Sequence, residues 1–348
     1  MPEILKQPVI DRSAWKGSDL KADQSWLQTW SGAELDEIDQ ALRAVQRDGR
    51  PWYEIRQNEF KLPLTGGRLG KIAEDLENGL GFTVLRGLPV ENYTLEEIRT
   101  IYWGLGSYLG DGVAQNAKGH LIADVKDLGI DFNHPNGRGY VSRSELTPHC
   151  DPTDVVGLLC YQKPLSGGLS TIASSMAIFN RMLEEHPEYL DLVFRGYRYN
   201  LRSEGATGAI NEMTFNKIPI FSYFDNRLSC RFNGNMIRTA QKVGGETLSA
   251  EENKVLDYIE QTALSAEFRF DMTLEIGDIQ LLCNHSMLHT RSEFVDGEDA
   301  AQKRHLMRLW LYSHNRRKLE PAFADRYNTG PRGGCAVTVA PEMREYAA

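Results

Sequence analysis

The stretch ELTPHCDPTDVVGLLCYQ, Glu145 to Gln162, sets His149 and Asp151 two positions apart and follows them with a run of valine, leucine and other apolar residues. On an extended chain alternate side chains share a side, so His149 and Asp151 project together while Cys150 points the other way. Val155–Gln162 has the apolar, β-branched make-up of a buried strand. An HxD pair is weak on its own: 8 His and 21 Asp among 348 residues give about half of one by chance. It also resembles a polar turn, since Asp151-Pro152 and the nearby Asp154 are ordinary turn chemistry. The reading depends on what surrounds it.

Downstream, the segments LSTIAS, IPIFSYF, LSCRF, EFRFDMTLEI, DIQLLCN and RHLMRLWLY, with HLIADV upstream, read as short strands. FDNRLS reads as a tight hairpin and Gly277-Asp278 as a turn between strands. Ahead of them the chain is helical. SGAELDEIDQALRAV and TLEEIRTIYWGLGSYLG open on capping boxes, Ser31/Glu34 and Thr94/Glu97, and carry an apolar face at helical spacing. RLGKIAEDLENGLG is a shorter amphipathic helix running into the strand FTVLRGL, and LSAEENKVLDYIEQTAL, capped by Ser249 and Glu252, is a helix inserted among the later strands. The fold class is therefore mainly β with flanking helices (α+β), a sandwich or barrel in one domain over 1–348. Residues 1–80 are mostly helical, 81–315 form the core with its inserted helix near 249–264, and 316–348 extend it.

Composition narrows the partners. A net charge of −9 and a pI near 5.5 speak against nucleic acid or an anionic membrane, while leaving room for a local basic pocket that takes a small anion. No run approaches the ~20 apolar residues that span a bilayer, and the N-terminus lacks the charged and apolar regions of a signal peptide. Five widely spaced cysteines without a CxxC suit reduced thiols in a cytoplasmic protein. The expected partner is a small molecule; a homo-oligomer stays open.

The HxD needs a second imidazole, and His289 in GDIQLLCNHSMLHTRSEF supplies it at the far end of a strand; His285 is its rival. Two imidazoles and a carboxylate on one side of a metal form the facial triad of non-haem Fe(II) oxygenases, and zinc accepts similar ligands. Beyond the second histidine, Arg304 and Arg308 in KRHLMRLWLY offer fixed, always charged forks suited to a dicarboxylate, which a hydrolytic zinc site has no general need of.

In this order, HxD, GGLSTIASS, GDIQLLCNHSMLHTR and the RxxxR of a closing strand resemble the taurine dioxygenase and chlorophenoxyacetate dioxygenase family, within the clavaminate synthase-like oxygenases. The likeness covers roughly residues 80 to 315. It implies a double-stranded β-helix (jelly-roll) core and an Fe(II)- and 2-oxoglutarate-dependent dioxygenase. Such an enzyme uses O2 to hydroxylate a small polar or anionic metabolite, with release of succinate and CO2. It places the iron on His149, Asp151 and His289 and pairs Arg304 with the distal carboxylate of 2-oxoglutarate. Thr171 would assist, with Ser170 as its rival because GGLST carries one residue more than the family's GGDT, and Arg308 would reach cosubstrate or substrate. Gln115 and Asn116 lie where the family contacts substrate, a solvated loop being the alternative. The segment 196–208 reads as either a lid or a surface loop. A zinc-dependent hydrolase and a non-catalytic cupin-like binding protein remain the rival classes.

Overall fold

The computed structural model describes residues 3–127, 129, 143–244 and 247–337. Its N-terminal helices are α1 (Gly32–Gln46), α2 (Gly66–Asn78) and α3 (Leu95–Gly106). Both expected capping boxes form: Ser31 and Thr94 accept the N–H of Glu34 and Glu97, whose carboxylates return to the cap N–H. Leu42 of α1, Ile72 of α2 and Ile101 of α3 enter one apolar cluster with Leu159, Leu281 and Leu309. The helices thus cover one face of a sheet, which keeps that face dry.

The strands, in chain order, are β1 (Leu27–Thr29), β2 (Phe82–Arg86), β3 (Gly110–Gly112), β4 (Ile122–Val125), β5 (Val155–Gln162), β6 (Ser166–Gly167) and β7 (Ser170–Ser174). They continue as β8 (Phe221–Phe224), β9 (Arg227–Cys230), β10 (Phe270–Met272), β11 (Ile279–Cys283), β12 (Met287–Arg291), β13 (Phe294–Val295) and β14 (His305–Ser313). The larger sheet runs β1-β2-β11-β5-β14-β3 with β4 also on β14, and the smaller runs β10-β7-β12. β11 and β12 are separated only by Asn284–Ser286 yet lie in different sheets, so the chain crosses between them there. Val84 and Val156 of the larger sheet share a buried cluster with Ile172, Met272 and Met287 of the smaller, which packs the two together.

Two turns follow their sequence. Asp225 and Asn226, at φ 50° and 60°, make the two-residue hairpin between β8 and β9. Gly277 has φ +83°, and a Cβ there would lie 2.0 Å from the Leu88 carbonyl oxygen, so the turn into β11 admits no side chain.

Where one inserted helix was expected in the core, four occur among the described residues: α4 (Ser175–Glu185), α5 (Leu190–Arg195), α6 (Gly234–Gly244) and α7 (Ala250–Leu264). α4 follows β7 without a spacer, Ser174 serving as both last strand residue and N-cap, and this continuity hides it from a search for breaks. Its Ile178 and Phe179 pack with Val255 and Ile259 of α7 and with Cys150. The strand expected over 267–276 shortens to β10, because Glu267 to Arg269 close the end of α7 in a turn, with Arg269 N–H on Ser265. In the C-terminal part, α8 (Pro321–Ala324) buries Phe323 against the core, and Arg332 pairs with Asp154 at 2.5 Å. Residues 338–348 of the expected extension lie outside the described residues. Among the described residues no helix is long and apolar enough to cross a membrane. All five cysteines are free and buried.

Candidate metal and cosubstrate site

The backbones of His149 and His289 exchange hydrogen bonds, His149 N–H to His289 at 3.0 Å and His289 N–H to His149 at 2.8 Å. This pair joins the loop before β5 to β12 and brings the two rings to 4.4 Å between centroids. Asp151 is held from behind, its N–H donating to Asn284 Oδ1 at 2.9 Å. One ligand atom from each of His149, Asp151 and His289 then lies within 4.8 Å of the others, a spacing that fits a single ion. Cys150 points away, its thiol 3.6 Å from the Met287 carbonyl oxygen, as the alternation requires.

The protonation states suit a metal. His149 Nδ1 lies 2.8 Å from the Thr147 carbonyl oxygen, which can only accept, so Nδ1 donates there and Nε2 is the nitrogen left for a metal. Burial, then the neighbouring His149, pushes His289 down to about 3, so it is a neutral imidazole at neutral pH. Burial opposes charge on Asp151, but the Arg308 guanidinium beside it, helped by the Trp310 N–H, holds the carboxyl below its usual range. Trp310 Nε1–H donates to Asp151 Oδ2 at 2.9 Å, and Arg308 Nη1 sits 3.6 Å from Oδ1.

These groups open onto a cavity of about 360 Å³. Arg291, Arg304, Leu306, Arg308 and Trp310 all line it. The last three alternate along β14, and Arg291 follows His289 by two on β12, so strand period alone sends them to the same side. Arg304 is 6% exposed, stacks on Phe294 at 5.2 Å, and its Nη1 has no hydrogen-bond partner among the described residues. Arg291 stacks on the same ring at 4.8 Å and donates to the Ser144 carbonyl. Burial, then the like charge of Arg291, pushes Arg304 down to about 9. A buried guanidinium with an orphan N–H and a like-charged neighbour is a receptor for an anion.

The other candidates separate cleanly. His285 lies away from the triad, its Nε2 2.9 Å from Asp154 Oδ1, and burial pushes it down to about 3, so Nε2–H donates to the carboxylate. Thr171 does not enter the cavity. Opposite Thr290 on β12 and Asp271 on β10, it donates to Asp271 Oδ1 at 2.6 Å, and Ser170, one step along the strand, lines the cavity instead. Gln115 lines the cavity but its amide is committed to the framework, donating to the carbonyls of Leu121 and Arg308 at 2.8 Å and accepting from Arg308 Nε at 2.8 Å. Asn116 is not on the cavity; its Oδ1 accepts from the N–H of Lys118 and His120 in a turn. Within 196–208, Arg202 and Ser203 take φ of 48° and 68° and the segment presents Arg202 and Glu204 to the cavity. Arg291 and Trp310 were not singled out from the sequence, although HxR and RxW carry the same two-residue spacing as HxD.

Residues 47–310 match the family described as "Taurine catabolism dioxygenase TauD, TfdA family". FR-33289 synthase of Streptomyces rubellomurinus is 32% identical over 325 residues, covering 91% of this chain and 94% of that protein. Taurine hydroxylase-like protein SAT17 of Stachybotrys chartarum is 28% identical over 315 residues, 86% of this chain and 78% of that protein. Among solved structures, asparagine oxygenase in complex with Fe(II), 2S,3S-3-hydroxyasparagine and succinate superposes with a TM-score of 0.65 at 18% identity, covering 82% of this chain and 93% of that one. The non-haem iron oxygenase OrfP with Fe, succinate and (3S)-hydroxy-L-Arg gives 0.61 at 14% identity, over 85% and 98%.

Proposed function

The chain belongs to the taurine catabolism dioxygenase TauD, TfdA family, and from that premise we propose a site-by-site reading of an Fe(II)- and 2-oxoglutarate-dependent dioxygenase acting on a small molecule. The observation that carries it is the His149–Asp151–His289 group beside a buried Arg304 whose Nη1 has no partner among the described residues. His149, Asp151 and His289 would hold the iron. Arg304 would take the distal carboxylate of 2-oxoglutarate, and Ser170, whose hydroxyl donates to Gln280 Oε1 at 2.9 Å, would assist in the place first given to Thr171 by turning that O–H to the cosubstrate. When bound, iron and 2-oxoglutarate supply oxidation of a C–H bond by O2, coupled to decarboxylation of the keto acid to succinate and CO2.

The protein's own part is positional. Thr147 fixes the His149 tautomer, Asn284 holds the Asp151 backbone, and Gln115 holds Arg308 over the site. The packing of two sheets, with chain crossings between β11 and β12, supports a jelly-roll core in a single domain. Five buried free thiols support a cytoplasmic setting. Arg304 on the cavity of the triad suits a cosubstrate with a distal carboxylate, which a hydrolytic zinc site does not require, and this favours the oxygenase over the hydrolase. For the substrate, the relatives above carry hydroxylated amino acids, and Glu145, Arg202 and Glu204 on this cavity offer both signs of charge. That supports a small polar or charged metabolite with amino-acid-like groups. The test is succinate formation from 2-oxoglutarate that requires Fe(II) and O2 and is stimulated by one compound in a screen of amino acids, sulfonates and carboxylates. Turnover with zinc alone, or none with iron, would count against it.

A further inference from the structure

We propose that Trp310 is a positioning residue for the metal centre, fixing the rotation of Asp151 through its indole N–H and at the same time carrying Arg308 on its ring face. The inference rests on the reading of His149, Asp151 and His289 as metal ligands. Of the six tryptophans in the chain, Trp310 is the one lining the cavity among the described residues. It sits on β14 opposite Val156 of β5, within the larger sheet, so its backbone is held on a paired strand. Its single N–H is spent on Asp151 Oδ2 at 2.9 Å, the oxygen that lies 3.8 Å from His289 Nε2. The guanidinium of Arg308 lies 4.6 Å from the indole centroid, with Nη1 3.6 Å from the other Asp151 oxygen. One side chain therefore sets two things: which way the carboxylate faces, and where the adjacent cation stands.

The choice of donor has a physical reason. Asp151 is 6% exposed and already faces Arg308. A second cation would draw further charge from the carboxylate and weaken it as a ligand, whereas a neutral N–H orients it at smaller cost to its basicity. A rigid ring also loses little conformational freedom in holding that direction, unlike a long flexible donor. Partners of metal ligands of this kind, when removed, typically cost about 10- to 100-fold in metal affinity.

Trp310→Phe keeps an aromatic ring beneath Arg308 and removes the N–H. The expected result is Fe(II) affinity, measured anaerobically by calorimetry, lowered roughly 10- to 100-fold, with thermal melting of the metal-free protein close to wild type. The visible band of the Fe(II) protein with 2-oxoglutarate should move, because the carboxylate is no longer held in one orientation toward iron. Trp310→His, which returns a ring N–H, should recover part of both effects. Unchanged affinity and an unmoved band in Trp310→Phe would overturn the proposal and leave Trp310 as packing. In the unaltered full chain, the indole N–H proton signal of Trp310 should shift on addition of Zn(II), a diamagnetic stand-in. If the ring signals of His149 and His289 move and that signal does not, the proposal also fails, whether or not the variant folds. Absence of metal binding by the wild-type chain would instead remove the metal reading itself, and this assignment with it.

Discussion

Replacing Arg304 by leucine separates the cosubstrate from everything else in the site. The guanidinium is buried, stacked on Phe294 and neighboured by Arg291, and burial with that like charge pushes it from 12.5 down to about 9. At about 1.4 kcal/mol per unit, the charge is held at a disadvantage on the order of 5 kcal/mol until an anion arrives. Removing it leaves the distal carboxylate of 2-oxoglutarate without its partner, a loss of about 2–5 kcal/mol, or roughly 30-fold to a few thousand-fold in affinity. Thermal or urea unfolding of the metal-loaded protein reads this without knowing the prime substrate. At 100 times its dissociation constant, 2-oxoglutarate stabilises wild type by about 2.7 kcal/mol; a 30-fold weaker site leaves under about 1 kcal/mol at the same concentration. Without 2-oxoglutarate, Arg304→Leu should be as stable as wild type or more so, since an unsatisfied buried charge has gone. In turnover, the Michaelis constant for 2-oxoglutarate should rise far more than that for the prime substrate. A variant that keeps the full 2-oxoglutarate stabilisation would refute the assignment, and transfer of the phenotype to Arg308→Leu would relocate it.

His289→Ala should abolish tight Fe(II) binding and His285→Ala should not, as read by calorimetry; equal losses would undo the choice between the two histidines. Ser170→Ala should raise the Michaelis constant for 2-oxoglutarate by several-fold at about 1 kcal/mol for a hydrogen bond, and Thr171→Val should leave it unchanged; the reverse pattern would restore Thr171 to the site. His285, neutral in the fold with its pKa at about 3, binds one proton fewer than in the unfolded chain between about pH 3 and 6.5. Its contribution to stability is therefore present above about pH 6.5 and falls as pH drops, by up to ~1.4 kcal/mol per unit. Urea unfolding of the metal-free protein at about pH 6.5 and about pH 5 should show a smaller loss in His285→Gln than in wild type, and equal losses would contradict the buried neutral histidine.

Local rules carried much of this from the sequence. Capping boxes at Ser31, Thr94 and Ser249 begin helices where the letters place them, and two-residue alternation puts His149 and Asp151 on one side with Cys150 on the other. The same alternation, taken further, would have reached Arg291 and Trp310. What alternation cannot give is phase, which is set by pairing: Thr171 faces outward because β7 lies between β10 and β12 in the register Asp271–Thr171–Thr290. Gln115 illustrates a second limit. Its place on the cavity was legible, but its amide is committed to Leu121 and Arg308, partners 6 and 193 positions away, so its role appears only once the sheet is closed. α4 was missed because Ser174 ends a strand and caps a helix at once, leaving no punctuation between them.

The central claim, that His149, Asp151 and His289 hold an iron able to take 2-oxoglutarate beside Arg304, is tested most directly by the anaerobic visible spectrum of the Fe(II) protein with 2-oxoglutarate added. Bidentate chelation by the keto acid should give a weak metal-to-ligand charge-transfer band without any prime substrate. The band should be kept in His285→Ala, lost in His289→Ala, and absent with zinc, which is d¹⁰ and redox-silent. A folded, iron-loaded wild-type protein that shows no such band would contradict the account.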